Sequence, residues 1–337
     1  MINTPQFLVS IQCMTYNHAP YIEDAMNGFC MQQTSFPYVA IIVDDASTDG
    51  EPGVIRSYLS DHFDMEYAKQ WETDDAHFVY AQHQENKNCY FAVILLKYNF
   101  WQAKKAKAPL YADFERDVKY VALCEGDDCW TNPNKIQKQV DILDNNPNVS
   151  YVHTNYHLID QEKQPLISEG HDRYRNDSFS GNNLLRLFKG NYILTLTTCF
   201  RKEVVVSELY LNAPVKVDYS LFLCASMLGD VAYVADDCGC YRIHPNSMMH
   251  TQRQLVKDLC SKAFEYYSLQ FAAGNHKLME RFEITKIFQF LINDCNDRKL
   301  YKLSFRIAIS DSFAMLYYIK SQYYILKSIV YKLIHHI

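Results

Sequence analysis

Three short clusters in this chain carry side chains suited to chemistry: Thr15-Tyr16-Asn17, Asp44-Asp45 and Glu125-Gly126-Asp127-Asp128. Each lies at the end of a run that reads as a buried strand: Phe7 to Met14, Tyr38 to Val43 and Tyr120 to Cys124. Ligands of doubly wound sheets bind outside the carboxyl ends of the strands, so the three clusters predict one shared site. Clustered carboxylates suit a hard divalent cation, Mg²⁺ or Mn²⁺, which takes one or two of them and fills its shell with phosphate oxygens and water. Such an ion neutralises the charge that builds on a phosphate leaving group. The competing reading of residues 125–128 is a solvated acidic turn capping the next helix. No G-x-G-x-x-G and no G-x-x-x-x-G-K-[ST] occurs, so dinucleotide and P-loop cradles are unsupported.

The elements that must position these clusters follow from the hydrophobic pattern. Between the first two strands, Ile22, Ala25, Met26 and Phe29 recur at helical spacing within Tyr21 to Gln32. A polar run from Asp44 to Gly50 opens a helix through about Leu59. Strand, helix, strand, helix predicts an α/β fold with a doubly wound, mostly parallel sheet and helices on both faces. The segment from Asp61 to Ala81 gives no clear pattern, and Phe91 to Ala106 reads as a helix. Lys135 to Asn145 reads as a helix ended by Asn146-Pro147, and Val149 to Thr154 as a strand. A polar stretch from Asp160 to Asn183 follows, then a short helix and a strand around Thr195 to Phe200. Asp218 to Leu228 reads as a helix, Val231 to Ala235 and Gly239 to Ile243 as two strands, and everything after Leu255 as helical.

Composition bounds the answer. A chain of 337 residues with 48% hydrophobic and 21% charged residues is globular, and a formal charge of -6 argues against a nucleic-acid binder. The 11 cysteines contain no C-x-x-C pair, which predicts reduced, buried thiols and no zinc site. The N-terminal stretch MINTPQFLVSIQCM lacks a basic region and a cleavage site. No run reaches the roughly 18 apolar residues of a spanning helix. The expectation is a cytoplasmic protein.

At this point the residues match a family. VSIQCMTYNHAPYIEDAMNGFCMQQT, VAIIVDDASTDG, YVALCEGDDCWTNPNKIQKQVDIL, VDYSLFLCASMLGDVAYV and CYRIHPNS resemble, in order, the family 2 glycosyltransferases of the GT-A fold. The resemblance covers about residues 7 to 250. It implies a catalytic domain over 1–250, with a nucleotide-binding half to about 130, an acceptor half from about 131, and a helical region over 251–337.

What the resemblance implies residue by residue is as follows. Tyr16 would stack on the base, usually uracil, and Asp45 would accept the base N–H, with Thr15 and Asn17 in the same nucleotide site. Asp44 would shape the turn or touch the ligand. Asp127 would face the ribose or the metal, Asp128 would be the leading metal ligand, and His244 would reach the metal or the diphosphate. Asp218 would be the catalytic base. Glu125 would border the sugar or acceptor pocket, where Trp130 either offers its ring or packs beneath the loop. Arg242 would hold phosphate or pair with a nearby carboxylate. The activity implied is inverting transfer from a nucleotide-diphosphate sugar, usually a UDP-sugar, to a glycan or lipid-linked acceptor in surface-polysaccharide assembly. A non-catalytic member that binds nucleotide sugar or a partner is the alternative. Asn86-Lys87-Asn88 lacks the family's glycine, and Lys104 to Lys119 looks like an insertion.

The tail has its own signal. At 100° per residue, Met315, Leu316, Ile319, Tyr323, Leu326, Val330, Leu333 and Ile334 fall within an arc of about 100°. Lys320, Ser321, Lys327, Ser328 and Lys332 lie outside it. Such a helix either lies on a membrane surface or packs on its own domain or a second subunit.

Overall fold

The structure, a computed structural model, describes residues 5–168, 180–275, 279 and 281–335. The predicted polar stretch from Asp160 to Asn183 lies partly outside them. The side chains of Lys327, Ser328, Val330, Lys332, Leu333 and Ile334, assigned above to faces of the tail, also lie outside the described set.

The chain divides into two compact units. The first comprises residues 1–180, 193–205 and 231–251, and the second 181–192, 206–230 and 252–337. The first unit is built on one mixed sheet. Its strands are β1 (Val9–Thr15), β2 (Tyr38–Asp44), β3 (Lys69–Glu72), β4 (Ala76–Gln82), β5 (Cys89–Leu96), β6 (Tyr120–Leu123), β7 (Cys129–Trp130), β8 (Val149–Ile159), β9 (Pro165–Leu166), β10 (Thr198–Arg201) and β11 (Asp230–Arg242). They are ordered β3-β4-β5-β2-β1-β6-β10-β8-β11-β7, with β9 beside β8. The pairs β5–β2, β2–β1 and β1–β6 are parallel, and β3–β4, β4–β5, β6–β10, β10–β8 and β11–β7 are antiparallel. Because the chain steps from β1 to β2 on one side and β6 lies on the other, β1 is the switch point where a crevice opens.

Both faces of this sheet are covered, and β2 shows how. Tyr38, Ala40 and Ile42 join one hydrophobic cluster, while Val39, Ile41 and Val43 join the other. The first cluster includes Ile22, Ala25, Met26 and Phe29 of α1 (Ile22–Cys30), Ile55 and Leu59 of α2 (Glu51–His62), and Ile136, Val140 and Leu143 of helix Lys135–Asn145. The second includes Phe100, Tyr111, Phe114 and Val118, from the segment between β5 and β6.

Three expectations are corrected. Phe91 to Ala106 is not a helix: its first half is β5, paired with β2 and β4. A strand buried on both faces shows a continuous apolar run and no period of two, so CYFAVILL is ambiguous by pattern. The two strands expected at Val231 to Ala235 and Gly239 to Ile243 are one, β11. Its polar Asp236 and Asp237 are not a break but surface positions, paired with Lys138 and with His157 at 3.0 Å. Lastly, not all thiols are free. Cys129 of β7 and Cys240 of β11, directly opposite in register, form a disulfide across 111 residues, and nine cysteines are free.

Closing a loop of that length restricts the unfolded chain, and loss of such a bridge typically costs about 2–5 kcal/mol. Thermal unfolding of the protein in dithiothreitol, or of Cys129→Ser/Cys240→Ser, is therefore expected at a clearly lower midpoint. An unchanged midpoint in both would show that the bridge contributes nothing to stability.

The second unit is helical. Its longer helices are Asp218–Leu228, Arg253–Ala272, Arg281–Asp297, Tyr301–Ala308 and Ser312–His335. Helix Asp218–Leu228 is apolar on every side and buried from Tyr219 to Met227, as a central helix must be.

Candidate functional site

The carboxyl end of β1 is pinned to the loop after β2. Thr15 pairs with Asp44 in register, and the Asp45 amide donates to the Thr15 carbonyl at 2.9 Å. The polar run 44–51 then holds the loop beyond β1. Ser47 Oγ accepts from the Asn17 amide at 2.8 Å, Asp49 from Ala19 at 2.9 Å, and the Asn17 side chain accepts from the Thr48 amide at 2.8 Å. Asn17 adopts a φ of 58°, in the left-handed region that asparagine tolerates. Beneath them sits Glu51, fully buried at the start of α2, which accepts from the Thr15 hydroxyl, the His18 amide (2.9 Å) and Ser47 Oγ (2.8 Å). Sequence reasoning missed Glu51, which follows Gly50 with no distinguishing signal.

The same chain of bonds orients His18. Its Nδ1 lies 3.2 Å from Thr15 Oγ1, whose own hydrogen goes to Glu51. Thr15 Oγ1 therefore accepts from Nδ1–H, which leaves Nε2 turned outward. That Nε2 is 3.6 Å from Asp127 Oδ2. His244 Nε2 reaches the same oxygen at 3.0 Å. His18, Asp127 and His244 offer ligand atoms that all lie within 4.8 Å of one another, and form the one such group among the described residues. Two imidazoles and a carboxylate are a suitable donor set for a divalent transition ion such as Mn²⁺ or Zn²⁺, more than for Mg²⁺. His18 was not among the predicted ligands; its signal was a histidine directly beyond a strand-end loop.

Asp127 comes within reach of β1 because the turn after β6 follows that strand closely. Cys124 and Gly126 donate their amides to Gln12 and Met14 carbonyls at 3.1 and 3.2 Å. A Cβ on Gly126 would sit 2.1 Å from Thr15 Oγ1, so only glycine fits. Burial pushes the Asp127 carboxyl up, but the His244 hydrogen bond and the charges of His18 and His244 outweigh it and hold its pKa below the ordinary value.

The neighbouring Asp128 does something else. It is buried, and its Oδ1 accepts the Arg242 amide at 2.9 Å. Burial, then repulsion from Asp127 and Glu125, raises its pKa well above the usual range. Asp128, expected as the leading ligand, thus lies outside the group that Asp127 forms with the histidines. Arg242 is buried with all three guanidinium nitrogens engaged: Nε on the Asp127 carbonyl (2.9 Å), a terminal nitrogen on the Asp160 carbonyl (3.2 Å), and another on Asp24 at 2.8 Å. Of its two expected roles, pairing with a carboxylate is the one seen.

The two aspartates after β2 also divide. Both oxygens of Asp45 are taken by the segment after β5, with Oδ1 accepting from Phe100 (2.6 Å) and Oδ2 from Trp101 (3.2 Å) and Lys107 (2.9 Å). The expected base contact at Asp45 therefore meets a carboxylate that already fastens the segment after β5. Asp44 is fully buried, its Oδ2 accepts from Ser47, and its Oδ1 has no partner. Burial raises its pKa to about 6. An ionised buried oxygen with nothing donating to it is where a ligand N–H fits. Tyr16, next along from Thr15, is 40% exposed.

Trp130 is only 2% exposed and packs beneath the loop: its indole N–H donates to the Leu196 carbonyl at 2.8 Å, and Lys135 Nζ lies 4.1 Å from the ring. Its backbone presses on α1 so closely that a Cβ on Gly28 would lie 2.8 Å from the Trp130 nitrogen. It is a packing residue. Glu125 accepts from Thr195 Oγ1 at 2.5 Å.

In the second unit, Asp218 opens its helix at the surface. Its Oδ1 accepts the Tyr219 amide at 2.7 Å, and Oδ2 lies 3.5 Å from Asn191 Nδ2. Desolvation by the surrounding atoms raises its pKa, with the Tyr219 amide working against it.

Comparison with known proteins agrees with this architecture. The model of "Glycosyl transferase family 2" matches residues 10–205. An uncharacterized protein of Mycobacterium tuberculosis is 28% identical over 249 residues, covering 72% of this chain. This chain spans 61% of the length of that relative. A putative teichuronic acid biosynthesis glycosyltransferase of Bacillus subtilis, TuaG, is 26% identical over 252 residues, covering 74% of this chain and 84% of TuaG. S. aureus TarS 1-349, crystallised with UDP, superposes with a TM-score of 0.53 at 14% identity, over 85% of this chain and 71% of that one. That last likeness concerns the fold.

Proposed function

Because the chain belongs to glycosyl transferase family 2, we propose that it transfers a sugar from a nucleoside-diphosphate donor to an acceptor hydroxyl with inversion at the anomeric carbon. The observation that carries this reading is the gathering of His18, Asp127 and His244 beyond the ends of β1 and β6. A divalent ion held by these three would offset the charge of the leaving diphosphate. The base binds at the end of β2, where Asp44 Oδ1 accepts the N–H of a pyrimidine ring and Tyr16 lies against its face. Asp218 takes the proton of the acceptor hydroxyl as that oxygen attacks. The donor is a UDP-sugar, in keeping with the UDP bound by TarS. The acceptor is a growing surface glycan or its lipid-linked precursor, in keeping with the name of TuaG.

The test is titration of UDP into the protein with and without Mn²⁺. Affinity is expected to rise at least about tenfold with the ion. Failure of every nucleoside diphosphate to bind with the ion present would overturn the reading. Uridine, which lacks phosphate, isolates the base contact. A carboxyl whose pKa is raised on folding favours the folded state fully below its unfolded value of 3.8. That advantage is lost as pH rises to about 6, so ionised Asp44 is held at a stability cost of about 3 kcal/mol. Uridine affinity is accordingly expected to fall as pH drops through 6, and N3-methyluridine to bind at least about tenfold more weakly at pH 7.5. Equal binding of the two nucleosides would remove Asp44 from the site.

A further inference from the structure

The last helix is turned inside out. In helix Ser312–His335, the residues directed at the rest of its unit are Ala314, which is buried, Tyr317, whose hydroxyl accepts from Asn293 at 3.0 Å, and Ser321, whose hydroxyl accepts from Asn296 at 3.2 Å. Gln322 joins them by donating to Asn296 at 3.2 Å. The opposite side carries Leu316, Ile319, Tyr323 and Leu326, which are 57–70% exposed. At 100° per residue these four span an arc of about 80°. A helix that only packs on its own domain buries its apolar stripe and exposes its polar one. This one does the reverse.

The preceding helix adds to the exposed apolar surface. In Tyr301–Ala308, Leu303, Ser304, Ile307 and Ala308 are buried, while Tyr301 and Phe305, four residues apart, are about half exposed and are followed by exposed Ile309. The Phe305 ring lies 5.9 Å from that of Tyr318, so the two helices meet beside this surface.

Charge identifies the occupant. Of the chain's 33 Lys and Arg, Lys302, Arg306 and Lys320 fall within residues 300–326, against only Asp311 of its 39 Asp and Glu, so this segment carries +2 in a chain of -6. A second copy seated symmetrically on the same face would bring one basic patch, Lys302, Arg306 and Lys320, toward another. No helix among the described residues is long and apolar enough to cross a bilayer. Aliphatic and tyrosine side chains beside lysines and an arginine match the boundary between acyl chains and anionic headgroups.

We propose that residues 300–326 form a docking surface for an anionic lipid bilayer, on which the two helices lie in the plane of the interface. The proposal stands apart from the donor site, and its test does not use nucleotide. The purified protein is floated with vesicles of phosphatidylcholine alone or with about one-third phosphatidylglycerol. Binding is expected to be at least about tenfold tighter to the anionic vesicles, since each cation near the surface contributes about fivefold, and to weaken as NaCl is raised. Leu316→Glu/Ile319→Glu is expected to reduce flotation at least about tenfold while thermal unfolding and UDP titration stay unchanged. Lys302→Glu/Lys320→Glu is expected to remove the preference for phosphatidylglycerol. Absence of flotation with both vesicles, or flotation indifferent to both variants, would overturn the proposal. So would a concentration-dependent dimer that Leu316→Glu/Ile319→Glu dissolves, with no vesicle binding; the face would then belong to a second copy.

Discussion

Asp218→Asn is expected to lower kcat by about 10³-fold while leaving the affinity for UDP within about twofold. Asparagine keeps the shape of the side chain and an oxygen that can accept the Tyr219 amide at the helix start, so the local fold has no reason to change. What it loses is the ability to take a proton. Desolvation raises the Asp218 pKa, which makes it a better base toward a sugar hydroxyl than a fully solvated aspartate. The acidic limb of the pH–rate profile should therefore lie above the ordinary carboxylate value of 3.8. Full transfer activity in Asp218→Asn would remove this residue from the chemistry.

Asp127→Asn gives the second large effect, and its sign depends on the ion. Asp127 supplies the one carboxylate between His18 and His244, so its charge is what a bound cation would chiefly meet. With Mn²⁺ present, UDP affinity is expected to fall about 100-fold. Without metal it should stay the same or rise, because a carboxylate that would repel the diphosphate has gone. Parallel losses with and without Mn²⁺ would show that Asp127 acts by holding the loop rather than by ligation. Asp128→Ala is not an equivalent test. It strips the buried partner of the Arg242 amide, and a loss there would report on folding.

The motifs beyond strand ends were readable because a doubly wound sheet converts sequence order into spatial neighbourhood. Once β1, β2 and β6 are recognised, Thr15, Asp44 and the turn 125–128 must lie along one edge. Helix Asp218–Leu228 has the bounds its sequence predicts, since an aspartate followed by a mostly apolar run and a closing glycine marks both ends. Which member of each pair does what was not readable. Asp44 and Asp45 differ by whether a segment some 55 residues away spends their oxygens, and Asp127 and Asp128 by which carboxylate meets the histidines and which accepts the Arg242 amide. β3 was missed because Lys69–Glu72 is a largely exposed edge strand with no alternation to detect. The Cys129–Cys240 bridge joins positions brought together only by β7 and β11 pairing, and spacing alone carries no trace of it.

The interleaved path of the chain fixes an order of events during synthesis. The helix bearing Asp218 finds part of its core downstream, in Arg253–Ala272, which packs against it and carries the buried Tyr267 and Phe271. At about 5–20 residues per second, those partners leave the ribosome several seconds after Asp218 does. Through that interval the nascent chain holds nine consecutive, mostly apolar residues, Tyr219 to Met227, with only their upstream neighbours, such as Asn183 and Leu187, already made. The sheet's central strands β1, β2, β5 and β6 are already complete by then. The proposed base therefore rides on the part of the molecule that matures last, and that part most needs shelter from aggregation while it waits.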